Sequence, residues 1–264
     1  MARFLLSALN FVGILRMQHR NHSSGHHYGD TPLGVLCLES WFTKPRGHLR
    51  NPQSFNYPVV YEVMGGVGIP ELLHAPNDKL LKSMIDRALC LESQGIKIIA
   101  GSCGFMARYQ WQVAEAVSVP VVLSSLALLP WLELVYGSTA GLGLLTADAN
   151  ALGKEHLRGI GWEREMSALS IEGLQQAPEF REVILKGRRH DLNMEAMINE
   201  VAAAARRLLA SGPLDAIVLE CTDLSAFSGV VRKVSGLPVY DIIQAIDLIA
   251  ASLGHSAVHK DYSI

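Results

Sequence analysis

The chain has 264 residues, of which 49% are apolar and 18% are charged, and its net charge at pH 7 is −2. This composition supplies a sizeable hydrophobic core and argues against disorder along most of the chain. Acids and bases are interspersed, and no apolar run approaches the ~20 residues of a transmembrane helix, so we expect neither a nucleic-acid partner nor a membrane partner.

Residues 1–30 differ from the rest and are predicted to form an N-terminal extension. Polar breaks at every third position between Phe4 and Leu15 are typical of an amphipathic helix. A polar, His-rich stretch follows, and the first acidic residue is Asp30. The extension therefore leaves three alternatives open: a targeting peptide, a mobile tail, or a helix packed on a partner subunit.

Short apolar runs and helical patterns alternate from Leu33 onward. Leu33–Ser40 predicts a buried strand, and residues 77–95 predict a helix that is capped at Asn77 or Asp78 and ends at Gly95. A second strand, residues 96–100, leads to Cys103. A predicted helix follows, and then a strand that begins near Val119.

The second half of the chain repeats this order. Residues 140–149 predict a strand, Asn193 caps a predicted helix, and residues 215–220 predict a strand that ends at Cys221. The interval from Cys103 to Pro120 and the interval from Cys221 to Pro238 are both 17 residues. We interpret the repeat as an internal duplication.

Alternating strands and helices predict an α/β fold with two pseudo-symmetric lobes, each a mainly parallel sheet flanked by helices. The predicted lobe 1 comprises residues 31–120 and 239–264, and the predicted lobe 2 comprises residues 121–238. Ligands bind outside the carboxyl ends of parallel strands. We therefore expect Cys103 and Cys221 on opposite walls of an active-site cleft between the lobes.

The four cysteines divide into two classes. No Cys-x-x-Cys pair or zinc-type spacing is present, so we expect reduced thiols in a cytoplasmic compartment and no metal site. Cys37 lies within a predicted strand and Cys90 on the apolar face of a predicted helix, so both are interpreted as inert. Cys103 and Cys221 occupy equivalent positions at predicted helix starts, which favour the thiolate and lower its pKa.

Two facing thiols can carry protons at a carbon next to a carboxylate. Inversion of such a centre needs one group that removes the proton and another that delivers a proton to the opposite face. Backbone N–H groups at two helix starts could stabilise the carbanion-like transition state. This chemistry requires no cofactor.

These features resemble the aspartate/glutamate racemase superfamily of cofactor-independent racemases, maleate isomerases and arylmalonate decarboxylases. The resemblance covers about residues 33–254 and rests on the duplicated strand–Cys–helix units and on Glu220–Leu224, "ECTDL", which is similar to the family's second-cysteine motif. It implies an active site between two pseudo-symmetric lobes, with the chain end packed on the first lobe. It also implies that Glu39, Ser40 and Thr146 lie near the thiols.

The chain departs from the family pattern at two places. Gly104-Phe105 stands where the family commonly has Asn-Thr, which puts aspartate and glutamate in doubt as substrates. A long loop, residues 41–58, replaces a short glycine turn, and its Arg46 and Arg50 could bind a substrate carboxylate or face water.

The sequence therefore predicts a racemase or epimerase of a small carboxylic or amino acid. The alternatives are a decarboxylase or cis–trans isomerase of a small dicarboxylate, or a non-catalytic ligand-binding relative. The predicted catalytic pair is Cys103 and Cys221, and the predicted substrate-binding residues are Glu39, Ser40, Ser102, Gly104, Phe105, Ser124, Thr146, Thr222 and Asp223. The predicted partner is a small-molecule carboxylate, and a homodimer is one expectation for the oligomeric state.

Overall fold

The computed structural model describes residues 32–74 and 76–255. The predicted extension 1–30, with its helix between Phe4 and Leu15, lies outside the described residues. No helix in the part of the chain that is described combines the length and apolarity needed to cross a membrane.

Two four-stranded sheets with the same topology form the framework. The first sheet has the order β2-β1-β3-β4 and the second β6-β5-β7-β8, and every neighbouring pair is parallel. The strands are β1 Leu33–Cys37, β2 Val59–Val63, β3 Ile98–Gly101, β4 Val121–Val122, β5 Leu142–Thr146, β6 Leu169–Gly173, β7 Ala216–Leu219 and β8 Val239–Tyr240. The predicted two-lobe α/β fold is confirmed.

The helices connect the strands as parallel pairing requires. They are α1 Ile69–His74, α2 Asp78–Ser93, α3 Gln110–Ala116, α4 Leu129–Tyr136, α5 Lys154–Gly159, α6 Met194–Leu209, α7 Ser228–Ser235 and α8 Ile242–Ser252. Asn77 caps α2 by accepting from the N–H of Leu80 at 3.1 Å, and Asn193 caps α6 in the same way. Both predicted caps are confirmed.

The duplication extends to strand register. β1 pairs with β3 from Leu33 opposite Ile98, and β5 pairs with β7 from Leu142 opposite Ala216. β3 and β7 each end two residues before a cysteine, at Gly101 and Leu219. The two cysteines are therefore equivalent in the structure as well as in the sequence.

Two strand pairings disagree with the lobe boundaries predicted from the sequence, at residues 120/121 and 238/239. β4 was assigned to lobe 2 but pairs with β3 of the first sheet, and β8 was assigned to lobe 1 but pairs with β7 of the second sheet. Each short strand follows a crossover helix that returns to its own sheet, which is why the pairing stays within the half-repeat. α8, which follows β8, packs on the first sheet through Ile242 and Ile246.

Cys90 is exposed, although the sequence places it on the apolar face of α2. The buried face of α2 follows Leu80, Met84, Ala88 and Leu91. At 3.6 residues per turn, position 90 falls on the side opposite Ala88.

Candidate functional site

The two cysteines lie where the lobes meet, each at the carboxyl end of a strand. Each precedes a 3-10 turn, Gly104–Tyr109 or Thr222–Phe227, which leads into α3 or α7. Cys103 is half-buried, and Cys221 is 6% exposed. The charge of Cys103 acts on the pKa of Cys221, which places the two thiols within electrostatic reach of each other.

Both thiols have raised pKa values, contrary to the expectation from helix starts. Burial is the largest cause of the raised pKa of Cys103, followed by the negative charge of Glu220, and a backbone hydrogen bond from Phe105 only partly opposes them. Burial also dominates the raised pKa of Cys221, and Asp223 and Glu220 add to it. Desolvation and like charge outweigh the backbone N–H groups here.

Asp223 connects Cys221 to a histidine of the other lobe. The Sγ of Cys221 lies 3.7 Å from Oδ2 of Asp223, and Oδ1 of Asp223 lies 2.7 Å from Nε2 of His48. The backbone N–H of Arg50 donates to Nδ1 of His48 at 2.9 Å. That hydrogen bond fixes the tautomer in which Nε2 carries the proton, so neutral His48 donates to the Asp223 carboxylate.

The pKa values of this pair agree with that assignment. Burial lowers the pKa of His48 more than Asp223 raises it, so the imidazole stays neutral. Burial acts to raise the pKa of Asp223, but the hydrogen bond from His48, with the charges of Lys44 and Arg50, holds it below its ordinary value. Asp223 is therefore an anion beside the Cys221 thiol.

Two cations of the long loop approach this anion. The Nζ of Lys44 donates to Oγ of Ser40 at 2.6 Å, and Nη1 of Arg50 donates to the carbonyl of Leu38 at 2.9 Å. Burial lowers the pKa of Lys44 to about 7, although the charge of Asp223 opposes the shift. Arg46, the other arginine singled out in the sequence, is exposed.

Glu220 is a second carboxylate at the thiols. Its Oε2 accepts from the hydroxyl of Thr146 at 2.7 Å and from the N–H of Ala147 at 3.4 Å. Burial raises the pKa of Glu220 to about 7. Glu220 belongs to the "ECTDL" motif, but the motif alone assigns it no role. Its position directly before Cys221 is the one sequence feature that could have indicated a role at the site.

The predicted substrate-binding residues fall into two groups. Around the thiols lie Ser102, Gly104, Phe105, Thr146, Thr222 and Asp223. Thr222 donates its hydroxyl to the carbonyl of Ser102 and so joins the two lobes. The hydroxyl of Ser102 accepts from the N–H of Leu38 within the first lobe.

Three predicted residues have other surroundings. Glu39 is exposed and accepts from the N–H of Gly66 at 3.0 Å. Glu39 and Ser40 line a surface cleft of about 230 Å³ whose lining includes neither thiol. Ser124 is fully buried and caps the 3-10 turn Ser125–Leu128 by accepting from the N–H of Leu126. In the described part of the chain, no group of three His, Cys, Asp or Glu side chains could hold a metal ion.

Comparison with solved structures identifies the scaffold. No protein-family profile matches the chain. The aspartate racemase of Picrophilus torridus superposes with a TM-score of 0.53 at 16% identity, covering 85% of this chain and 95% of that one. An arylmalonate decarboxylase superposes at 0.54 with 17% identity (88% and 96%), and the allantoin racemase of Klebsiella pneumoniae at 0.52 with 10% identity (89% and 97%). These proteins confirm the two-lobe fold that the resemblance implies.

Curated relatives at higher identity name a different reaction. A dimethylsulfoniopropionate lyase of Durusdinium sp. clade D is 31% identical over 224 residues, covering 81% of this chain and 72% of the relative. Dimethylsulfoniopropionate lyase 7 of Emiliania huxleyi (strain CCMP1516) is 30% identical over 233 residues, covering 84% and 67%.

The prediction of a racemase or epimerase is therefore wrong, although the prediction of an enzyme is confirmed. The prediction failed for a physical reason. Duplicated strand–Cys–helix units indicate the fold, whereas the reaction depends on the substrate and on the groups around it, which the units do not specify. The chain belongs to the dimethylsulfoniopropionate lyase family and has the two-lobe fold shared by the superposed racemases and decarboxylase.

Proposed function

We propose that this chain cleaves the carbon–sulfur bond of a 3-sulfonium propionate, and that dimethylsulfoniopropionate is the substrate to test first. The observation that carries the proposal is a cluster of two thiols and two carboxylates in a chain about 30% identical to lyases of that compound. The carboxylates give the cluster a negative electrostatic potential, which favours a substrate that carries a positive charge.

The reaction is an elimination. A base removes a proton from the carbon next to the carboxylate, and the electrons of that C–H bond form a double bond to the neighbouring carbon. The C–S bond breaks, its electron pair stays on sulfur, and the products are acrylate and neutral dimethyl sulfide. Because a sulfonium leaves without protonation, one base is sufficient.

Cys221 is the base that the geometry favours. Its thiol points to Oδ2 of Asp223 at 3.7 Å, and His48 orients that carboxylate from the other side. In the free protein, burial together with the nearby anions keeps the thiol protonated. A bound sulfonium would offset that negative charge and lower the pKa of Cys221, so the substrate itself promotes formation of the thiolate.

Lys44 and Arg50 are the groups proposed to hold the substrate carboxylate. Both act on Asp223 from the long loop, and Lys44 is half-buried. The pKa of Lys44, about 7 in the free protein, would rise when a carboxylate binds beside it. Binding would therefore increase the positive charge of Lys44 next to the substrate carboxylate. Cys103, on the opposite wall, is the second candidate for the base.

The test is product formation by the purified chain. Incubation with dimethylsulfoniopropionate should release dimethyl sulfide, measured by headspace gas chromatography, and acrylate, measured by proton NMR. Cys221→Ser should lower kcat about 10²–10⁴-fold, because a proton carrier is lost. Cys90→Ser is the matched control: Cys90 is exposed on α2, so this variant should keep wild-type turnover.

Three outcomes contradict the proposal in different ways. If neither product forms, the proposed reaction is wrong. If Cys103→Ser abolishes turnover while Cys221→Ser does not, the base is Cys103. If both serine variants keep full turnover, the thiols have no role in proton transfer.

A further inference from the structure

Glu220 lies near both thiols in a fixed orientation. It directly precedes Cys221, and Thr146 and Ala147 of the second lobe hold its Oε2. The other carboxylate oxygen, Oε1, is fully buried and has no hydrogen-bond partner among the residues that the structure describes. The charge of Glu220 raises the pKa of both thiols, so the carboxylate is within electrostatic reach of each.

Oε1 faces the first lobe at Gly104. A Cβ built on Gly104 would lie 2.0 Å from Oε1 of Glu220 and 2.1 Å from its carbonyl oxygen. Any larger residue at position 104 would therefore displace the carboxylate. The glycine that departs from the superfamily pattern is the residue that makes room for Glu220.

An unpartnered carboxylate oxygen in the protein interior is unfavourable, because burial removes its water and nothing replaces the lost hydrogen bonds. The neighbouring charge of Asp223 has the same sign and adds to the cost. A fixed, buried carboxylate of this kind is stabilised by a positive charge. Because the described part of the protein donates no hydrogen bond to Oε1, we look for that charge in a ligand.

We propose that Oε1 of Glu220 is the counter-charge for the sulfonium of the substrate, and that Glu220 selects a cationic leaving group. This inference rests on the proposed function. A sulfonium carries its charge among methyl and methylene groups and has no N–H or O–H to donate, so it matches an oxygen that attracts by charge alone.

Two inert ligands of the same shape test the proposal without turnover. 3-(Trimethylammonio)propanoate carries a permanent cation, and 4,4-dimethylpentanoate replaces the nitrogen with carbon. Isothermal titration calorimetry on the wild type should show a preference for the cationic ligand of about 10- to 100-fold. Glu220→Gln should bind the neutral ligand as the wild type does and lose most of that preference. Glu163→Gln, at an exposed carboxylate, is the matched control and should retain it.

The pH dependence of the wild type gives a second measurement that needs no variant. Because the pKa of Glu220 is about 7, the preference should grow as pH rises from about 5.5 to about 8.5. Cys103, Cys221 and Asp223 also face Glu220, but the pKa values of the thiols lie well above this range and that of Asp223 below it. Lys44 titrates near pH 7 and acts on the carboxylate that both ligands share, so its effect cancels in the ratio of their affinities.

The outcomes separate this inference from the proposed reaction. Equal affinities for the two ligands in the wild type, or no binding of the cationic ligand, overturn the inference. A Glu220→Gln variant that is folded by circular dichroism and keeps the preference also overturns it. If dimethylsulfoniopropionate is cleaved while the preference is absent, only the role of Glu220 fails; if it is not cleaved, the reaction fails on its own evidence.

Discussion

Asp223 has two opposing effects on Cys221. Its carboxylate accepts the hydrogen bond of the thiol at 3.7 Å and so orients it, yet its negative charge raises the pKa of that thiol. His48 keeps the carboxylate ionised, because the hydrogen bond to Oδ1 lowers the pKa of Asp223. Asp223 therefore adds to the burial that keeps the thiol protonated in the free protein, and its oxygen orients the S–H bond.

Asp223→Asn separates the two effects. Without the negative charge the pKa of Cys221 should fall, so alkylation of Cys221 by iodoacetamide should begin at lower pH than in the wild type. Turnover of dimethylsulfoniopropionate should nevertheless drop about 10²-fold or more, because a thiolate of lower pKa is a weaker base and the carboxylate that orients the thiol is lost. Mass spectrometry of peptides containing Cys221 measures the first effect. An unchanged alkylation profile would show that Asp223 does not set the pKa of this thiol.

The sequence located the thiols but not their electrostatic surroundings. The equal spacing that follows Cys103 and Cys221 was sufficient to pair them, because strand, turn and helix repeat in both halves. Asp223 is predicted from the motif that follows Cys221, but its partner His48 is not, because His48 comes from a loop with no periodic pattern and reaches Asp223 across 175 positions of sequence. The effect of burial on a pKa likewise depends on packing that only the folded chain defines.

α5 of the second lobe packs closely on the 3-10 turn that follows Cys103. A Cβ built on Gly159 would lie 2.2 Å from the carbonyl oxygen of Ala107, and the ring of His156 meets the ring of Phe105 edge-on with centroids 4.9 Å apart. This contact fixes Phe105, whose backbone N–H donates to the thiol of Cys103. The helix therefore positions one wall of the site.

Gly159→Ala tests that role. In most helices this change stabilises by up to ~1 kcal/mol, but here the added methyl group meets backbone, so we expect a loss of about 1–3 kcal/mol and a lower kcat. Asn77→Ala is the control: it removes the cap of α2 and should cost about 1 kcal/mol with kcat unchanged. Urea unfolding and steady-state kinetics measure both variants. Stabilisation by Gly159→Ala would contradict the close contact.

Strands that are fully buried are easier to predict from the sequence than strands that are partly exposed. β1 and β3 are fully buried apolar runs, and the sequence marks both. The edge strands β2 and β6 were not identified, because most of their residues are half-buried and carry no continuous apolar run. The helical segments after the thiols were identified, but the pattern does not distinguish their initial 3-10 turns from α-helix.

The two lobes are joined at the thiols by contacts from both directions. The hydroxyl of Ser225 donates to the carbonyl of Gly47 at 2.9 Å, and that of Ser125 donates to the carbonyl of Leu219 at 2.6 Å. Gly47 has a φ of 88° and would place a Cβ 3.1 Å from the Cα of Ala226, so both conformation and space require glycine there. The long loop thus fastens the first lobe to the turn that carries Asp223.

Glu220 lies inside this joint, so its ionisation affects the stability of the whole molecule. Burial raises its pKa from an ordinary value of 4.5 to about 7, which means that the folded chain binds the proton more tightly than the unfolded chain. The wild type should therefore lose free energy of unfolding as pH rises from about 4.5 to about 7, by on the order of 3 kcal/mol from this group.

Glu220→Gln keeps the shape of the side chain and removes the ionisation. The free energy of unfolding of the variant relative to the wild type should therefore rise between pH ~5 and pH ~8, by on the order of 3 kcal/mol, while titrations of other groups largely cancel in the difference. Urea unfolding of both proteins at the two pH values measures it, with Glu163→Gln as a control at an exposed carboxylate. A difference that does not change with pH would mean that Glu220 titrates alike in the folded and unfolded chains. The expected result would identify Glu220 as a group that destabilises the free protein, as a carboxylate kept for a cationic ligand should.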